Sequence, residues 1–467
     1  MALETDLQRE WNQQLEQKTI FEQAKAYAFD YFDRVSEMSA VPSGESKRTL
    51  AVFDELLPDE PHSPEEILAL LQQAGQNNLS AQGGGRYFGF VNGGILPVSL
   101  AARWMADAWD QNAALSVMSP LAAKLEDVCE RWLVDLLDLP EDSAAGFVSG
   151  SSTATLCALA VARDSLLLRQ GWDVRERGLY GAPLVRVVLG EQAHSSVFKA
   201  LSLIGMGKAN VVLAPVDAQG RIDPARLPDL DDRTLLILQA GNVNGGAFDP
   251  FEPLCARARA CDAWVHVDGA FGLWAAACTE TKHLTRGMSL ADSWSCDAHK
   301  TLNAPYDNGI VFCRDHSALV QTMQATGSYL QYGEARDSML YTPEMSRRAR
   351  GIELWAALRS LGRSGVDALV SGLCENTRYF AQLLRERGFR VLNDVVYNQL
   401  VVACDSPEET KATLAEIQSG GVCWCGGAVW RNEPVIRVSV CSWRTTHQDV
   451  DVSVAAFEAA RKRAKES

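Results

Sequence analysis

Apolar residues recur at helical spacing from Leu3 to about Phe32, as Leu7, Trp11 and Leu15 and then Ala24, Ala28 and Tyr31, with no Gly or Pro between. This predicts an amphipathic helical arm whose stripe needs a covering surface, either the body of its own chain or a second subunit. Residues 58–64 turn to Pro, Asp and Glu and read as a connection. Residues 83–94 crowd glycine with Tyr87, Phe88 and Phe90. They have neither GxGxxG spacing nor a Gly-Lys-Ser/Thr, so they are not a nucleotide loop. A packed loop beside a substrate and a plain turn remain equal readings. Between about 146 and 315 the pattern changes to short β-rich runs alternating with helical ones. The runs are 185–189, 211–213, 235–238, 264–268, 293–297 and 309–312. Near-continuous apolar strands separated by helices predict a mostly parallel sheet covered on both faces, with ligands bound beyond the carboxyl ends of its strands. A helix is expected near 346–364. Strands at 395–404 and 435–440 and helices at 408–419 and 449–464 then suggest a smaller α/β domain. The expected division is a helical arm over 1–85, a large cofactor-binding domain over 86–345 and a small domain over 346–467.

Composition narrows the class. At 467 residues with 47% apolar and 22% charged positions, the chain is an ordinary globular protein of more than one core. Its 44 basic and 59 acidic side chains leave a net charge of −15, which disfavours nucleic acid and anionic membranes as partners. No apolar stretch is long enough to cross a bilayer, and residues 1–10 lack the apolar core of a signal peptide, so a cytoplasmic protein is expected. The twelve cysteines are scattered through apolar runs and read as buried thiols in a reducing compartment. Cys423 and Cys425 are too close for a zinc knuckle, and no metal site is expected.

The chemistry-bearing residues stand at strand ends. Of eleven lysines, Lys300 alone follows a buried-type strand and precedes a segment poor in charge. A lysine held away from water becomes a nucleophile toward a carbonyl, although this one in isolation reads as a surface residue. Asp268 closes the alternating strand 264–268, where it would face a ligand; a helix cap or structural ion pair is the competing reading. His194 follows another strand. Ser151 and Ser152 follow the strand that contains Phe147 and open a helix, where hydroxyls and free amides make an anion site suited to phosphate. A phosphate cradle, a nucleophilic lysine, a carboxylate and a histidine able to stack on a ring together describe a pyridoxal phosphate site, with the carboxylate paired to the protonated pyridine nitrogen.

The blocks Gly150-Ser-Ser-Thr-Ala-Thr, His194-Ser-Ser-Val, His266-Val-Asp268-Gly-Ala, Asp297-Ala-His299-Lys300 and Ser346-Arg-Arg-Ala-Arg350-Gly-Ile-Glu-Leu-Trp355 occur in an order and spacing that resemble the group II pyridoxal-phosphate decarboxylases of fold type I. That family includes aromatic-L-amino-acid, glutamate, cysteine-sulfinate and diaminobutyrate decarboxylases. The resemblance runs from about Tyr87 to Val452. It implies a seven-stranded, mostly parallel sheet with helices on both faces, a smaller carboxyl-terminal domain and a homodimer. It also implies pyridoxal 5'-phosphate carried by Lys300, a pyridinium partner at Asp268, ring stacking by His194 and phosphate contacts from Ser151, Ser152 and His299, although a histidine beside the lysine also packs readily. Arg437 on the strand 435–440 would reach the substrate carboxylate, against the alternative of a solvated or ion-paired strand residue. Asn242 and Asn244 are further candidates for the ring hydroxyl or for Asp268.

Two departures stand out: the family's usual Asn-Pro-His-Lys reads Asp297-Ala-His299-Lys300, and the segment between Gly327 and Pro343 is short for a mobile catalytic loop. Tyr329, Tyr332 and Tyr341 lie in it, and Tyr341 is chosen as proton donor because it leads into the arginine block. The expected reaction is decarboxylation of an L-amino acid to the amine and CO2. An aminotransferase, a retro-aldol lyase or an oxidative deaminase on the same fold is the alternative, and a silent scaffold is the reading from outside enzymology. Tyr87–Phe90, Trp104 and Trp109 would suit an aromatic substrate, though tryptophans more often pack in cores.

Overall fold

Side-chain alternation within the apolar runs determines how the large sheet is covered. The computed structural model describes residues 5–325 and 335–466. Strands β1 (Ala144–Val148), β2 (Arg186–Gly190), β3 (Val211–Ala214), β4 (Thr234–Gln239), β5 (Trp264–Asp268), β6 (Ser293–Asp297) and β7 (Gly309–Cys313) form one seven-stranded sheet in the order β1-β7-β6-β5-β4-β2-β3. Only β7 runs against the rest, so the sheet is mostly parallel, as expected. Val187, Leu189, Leu235 and Ile237 pack with Leu159, Leu166 and Leu201 from the helices Ser151–Arg169 and Ser195–Leu203. Their neighbours Val188, Leu236, Leu238, Val265 and Val267 join Leu133, Leu254 and Leu354 from the helices Pro120–Leu136, Phe251–Ala260 and Gly351–Glu386. Alternate side chains thus enter different cores, which requires each run to be apolar throughout.

A second sheet joins β8 (Arg390–Val391), β9 (Gln399–Ala403), β10 (Gly426–Trp430) and β11 (Glu433–Ser439), antiparallel in the order β10-β11-β9-β8. Leu400, Val402, Ile436 and Val438 meet Ile417, Val450 and Phe457 of the helices Pro407–Gly420 and His447–Glu466. Strand β10 has no counterpart in the sequence reading. It starts with two glycines, lies at a sheet edge and buries only its end residues, so it offers no apolar run. The helix expected at 346–364 extends from Gly351 to Glu386, with Gly362 at φ 60° breaking it internally, a backbone setting that glycine adopts without a Cβ penalty.

The arm is two helices, Asp6–Gln17 and Thr19–Arg34, rather than one; Lys18 at φ 59° interrupts it. Thr5 and Gln8 form a capping box at its start. Neither helix buries a residue, and Leu7, Trp11 and Leu15 are 57%, 56% and 59% exposed. Their own chain does not cover this stripe. Trp104 stacks on Phe29 of the arm with ring centroids 6.1 Å apart, so it belongs to arm packing and not to the strand-end cluster. Among the described residues, no helix is long and apolar enough to cross a membrane.

Candidate active site

All the parallel strands end on one edge of the sheet, and the chemistry-bearing side chains gather there. Asp268 is the last residue of β5 and Asp297 the last of β6, with His299 and Lys300 just beyond. Ser151 opens the helix after β1, and His194 is the N-cap of the helix after β2.

Asp268 is buried, and its Oδ1 accepts one hydrogen bond, from the Ala270 amide at 3.2 Å. Burial pushes its carboxyl above the usual range, and the nearby His194 and Lys300 pull it back. A buried carboxylate with one hydrogen bond and two cation-capable neighbours favours a further cationic partner. His194 accepts the Ser196 amide at Nδ1 (3.2 Å), which places its ring proton on Nε2. The residue is exposed. Desolvation by the surrounding protein lowers its pKa, with Lys300 and Arg437 acting in the same direction and Asp268 opposing. The neutral ring is thereby favoured.

The lysine environment corrects one expectation. Lys300 is not in apolar surroundings: its Nζ lies 3.0 Å from Asp297 Oδ2, and its side chain is 20% exposed. Asp297 also accepts the Ser151 amide (2.5 Å) and hydroxyl (2.6 Å). His299 accepts the Asn308 amide at Nδ1 (3.0 Å), so Nε2 carries its proton and faces Asp297 Oδ1 at 3.6 Å. Burial lowers the His299 pKa and favours this neutral form. Ser152, the second residue of the helix, is exposed on the same edge and makes no side-chain hydrogen bond among the described residues. The close approach of strands and turn here demands glycine, since a Cβ on Gly309 would collide with the Gly150 backbone. The loop at residues 83–94 is packed against the same unit: a Cβ on Gly93 would strike the carbonyl oxygens of Lys300 and His299.

Residues 47–403 match the model of the pyridoxal-dependent decarboxylase conserved domain. The chain belongs to the pyridoxal-dependent decarboxylase family. It is 26% identical over 357 residues to the acidic amino acid decarboxylase GADL1 of Mus musculus, covering 73% of this chain and 62% of the mouse protein. It is 25% identical over 419 residues to an aromatic-L-amino-acid decarboxylase of Bacillus atrophaeus, covering 85% of each. The crystal structure of Oryza sativa TDC with PLP and tryptamine shares the fold, with a TM-score of 0.87 at 22% identity over 96% of this chain and 97% of that one. The family's cofactor is pyridoxal phosphate, and its members are carboxy-lyases.

For a pyridoxal-dependent decarboxylase, the donor set at the strand ends fits the cofactor. Ser151, the first-turn amides of the helix Ser151–Arg169 after it and the Nε2–H of His299 suit a phosphate. Asp268 suits a ring nitrogen, and Lys300 is an amine 3.0 Å from Asp297 whose charge also lowers the Asp268 pKa. Arg437 on β11 approaches this group from the small sheet, close enough to depress the His194 pKa. It makes no ion pair among the described residues, and its buried Nε lacks a hydrogen bond.

Other candidates are placed elsewhere. Tyr341 is not brought to Lys300. Its hydroxyl meets His316 Nε2 at 3.0 Å and Arg336 lies over its ring at 3.9 Å. His316 follows β7, and because β7 is antiparallel, that end lies across the sheet from Asp297. Tyr329 and Tyr332 fall outside the described residues. Asn242 spends its Oδ1 on the amides of Asn244 and Gly245 and an N–H on Gln192, so it builds a turn and does not bond Asp268. Asn244 takes part in that turn through its amide. The arginine block is structural: Arg347 pairs with the buried Glu126 (2.9 Å), Arg348 with Glu353 (2.6 Å) and Arg350 with Asp307 (3.0 Å). Sequence reasoning quoted Asp297 only as a departure from a motif and gave it no role. Its place at a strand end, three residues before the lysine, was the available signal.

Proposed function

We propose that this chain removes CO2 from an L-amino acid to leave the corresponding amine. The observation that supports this most is the convergence of Asp268, His194 and Lys300 in one electrostatic neighbourhood at the carboxyl edge of the sheet. When bound, pyridoxal phosphate supplies the electron sink for the bond that breaks at Cα. The chain's own residues do the rest. Lys300 carries the cofactor. Asp268 holds a proton on the ring nitrogen, and its buried setting makes that ion pair strong. The neutral His194 stacks on the ring face. Ser151, Ser152 and His299 direct N–H and O–H groups at the phosphate. Arg437 binds the substrate carboxylate with a guanidinium that has no competing ion pair, and so orients the amino acid.

The stripe at Leu7, Trp11 and Leu15 supports a homodimer in which the arms cross the subunit boundary and each site is completed by the other chain. Burying a leucine side chain contributes roughly 1.5–3 kcal/mol. Twelve unpaired thiols, eleven of them buried, favour a reducing, cytoplasmic location. We divide the chain functionally at residues 85 and 345, with an arm, a cofactor-binding domain and a small domain that brings Arg437. The test is to incubate the purified enzyme with each of the common amino acids and measure amine and CO2 together. Equimolar amine and CO2 from at least one substrate is the expected result; a keto acid or aldehyde without CO2 would contradict it and select an aminotransferase or lyase.

A further inference from the structure

Asp297 brings negative charge to the point where a phosphate would be held. One of its oxygens accepts the Ser151 amide at 2.5 Å and lies 3.6 Å from His299 Nε2. The other accepts the Ser151 hydroxyl at 2.6 Å and lies 3.0 Å from Lys300 Nζ. The Asp297 side chain is 2% exposed, so little water screens it. The first amide of the helix, a hydroxyl, an imidazole and an amine therefore converge on a carboxylate that belongs to the chain itself. A phosphate group draws on the amide, the hydroxyl and the imidazole among them. Two anions sharing them repel each other, and the repulsion is strong where water is excluded.

We propose that Asp297 limits how tightly this chain holds pyridoxal phosphate, by competing with the phosphate group for Ser151 and His299. The inference rests on the reading of this edge as the cofactor site. It makes Asp297 a positioning and affinity-setting residue, one that keeps Lys300 directed at the cradle while holding the cofactor loosely enough to exchange.

The test uses full-length wild type, Asp297→Asn and Asp297→Ser, each loaded with pyridoxal phosphate and dialysed against a series of free cofactor concentrations. Bound cofactor is measured by absorbance. A parallel series uses pyridoxal, which lacks the phosphate. Asp297→Asn is expected to hold pyridoxal phosphate at least about tenfold more tightly than wild type, with a smaller gain for Asp297→Ser and less than about twofold change for pyridoxal. Unchanged or weaker pyridoxal phosphate binding in the variants overturns the proposal. An equal gain for pyridoxal also overturns it, because the effect would then act through Lys300 alone. No binding by wild type or either variant would remove the cofactor reading and the proposal with it.

Discussion

His299 accepts the Asn308 amide at Nδ1, at 3.0 Å, and this single bond places the ring proton on Nε2, the nitrogen that faces Asp297 and the start of the Ser151–Arg169 helix. The histidine beside the lysine thus presents one N–H donor to the end of β6 and the start of that helix, where the proposed function places the phosphate. Replacing it with Phe removes the donor and keeps a ring, whereas Gln restores an N–H. His299→Phe should weaken cofactor binding about tenfold or more, and His299→Gln should recover part of the loss, as read by equilibrium dialysis. Equal affinities for all three proteins would assign His299 to packing.

Arg437 should act on substrate binding. Its burial lowers its own pKa, and it lacks an ion-pair partner among the described residues, so a substrate carboxylate gains a charge-assisted bond without displacing an existing one. Such bonds contribute about 1.5–3 kcal/mol, so Arg437→Lys should raise KM roughly ten- to a hundredfold with a smaller change in kcat. Steady-state kinetics on the best substrate decides this; an unaltered KM would return Arg437 to a structural role.

Much of this was legible in the sequence, for identifiable reasons. Strands β2, β4, β5, β6 and β7 appear within a residue or two of their expected places because both faces are buried and the runs are uninterrupted. The gathering of Lys300, Asp268 and His194 on one edge was readable because each ends or follows such a strand. The Asp297–Ser151 contact was not, since it joins residues 146 apart in sequence through the sheet order. That Tyr341 lies across the sheet from Lys300 of its own chain was not legible either, because adjacency to the arginine block carries no information about the reversed direction of β7. The break at Lys18 has no sequence signal, being one left-handed residue between two good helical stretches.

Asp249 offers a pH-dependence separate from the active site. It accepts the Ile222 and Gln239 amides, each at 2.7 Å, and burial pushes its carboxyl up to about 6. In the unfolded chain an aspartate titrates near about 3.9. The folded state thus binds this proton more tightly, and the stability the proton provides is fully present below the unfolded value and lost as pH rises through the folded one. Asp249 should contribute a loss of about 3 kcal/mol between roughly pH 4 and 6. Denaturant unfolding of wild type and Asp249→Asn across that window isolates it: the difference in stability between them should change with pH. A constant difference would contradict the assignment.

The arm should govern assembly. Removing residues 1–32 takes away Leu7, Trp11 and Leu15, the stripe on which the proposed dimer rests. Light scattering at micromolar concentration should give about twice the 51.0 kDa chain mass for the full-length protein, and aggregates or weakly active monomers for the truncated one. A stable, active full-length monomer would show that the site is complete in one chain.

Whether Lys300 carries the cofactor is settled most directly by chemistry on the loaded protein. Borohydride reduction fixes pyridoxal phosphate to the lysine that holds it, and peptide mass spectrometry then locates the adduct. The predicted result is one cofactor mass per chain on the peptide containing His299 and Lys300, with none in Lys300→Ala. An adduct on Lys199, Lys282 or any other lysine of the wild-type protein, or an undiminished adduct in Lys300→Ala, would contradict it.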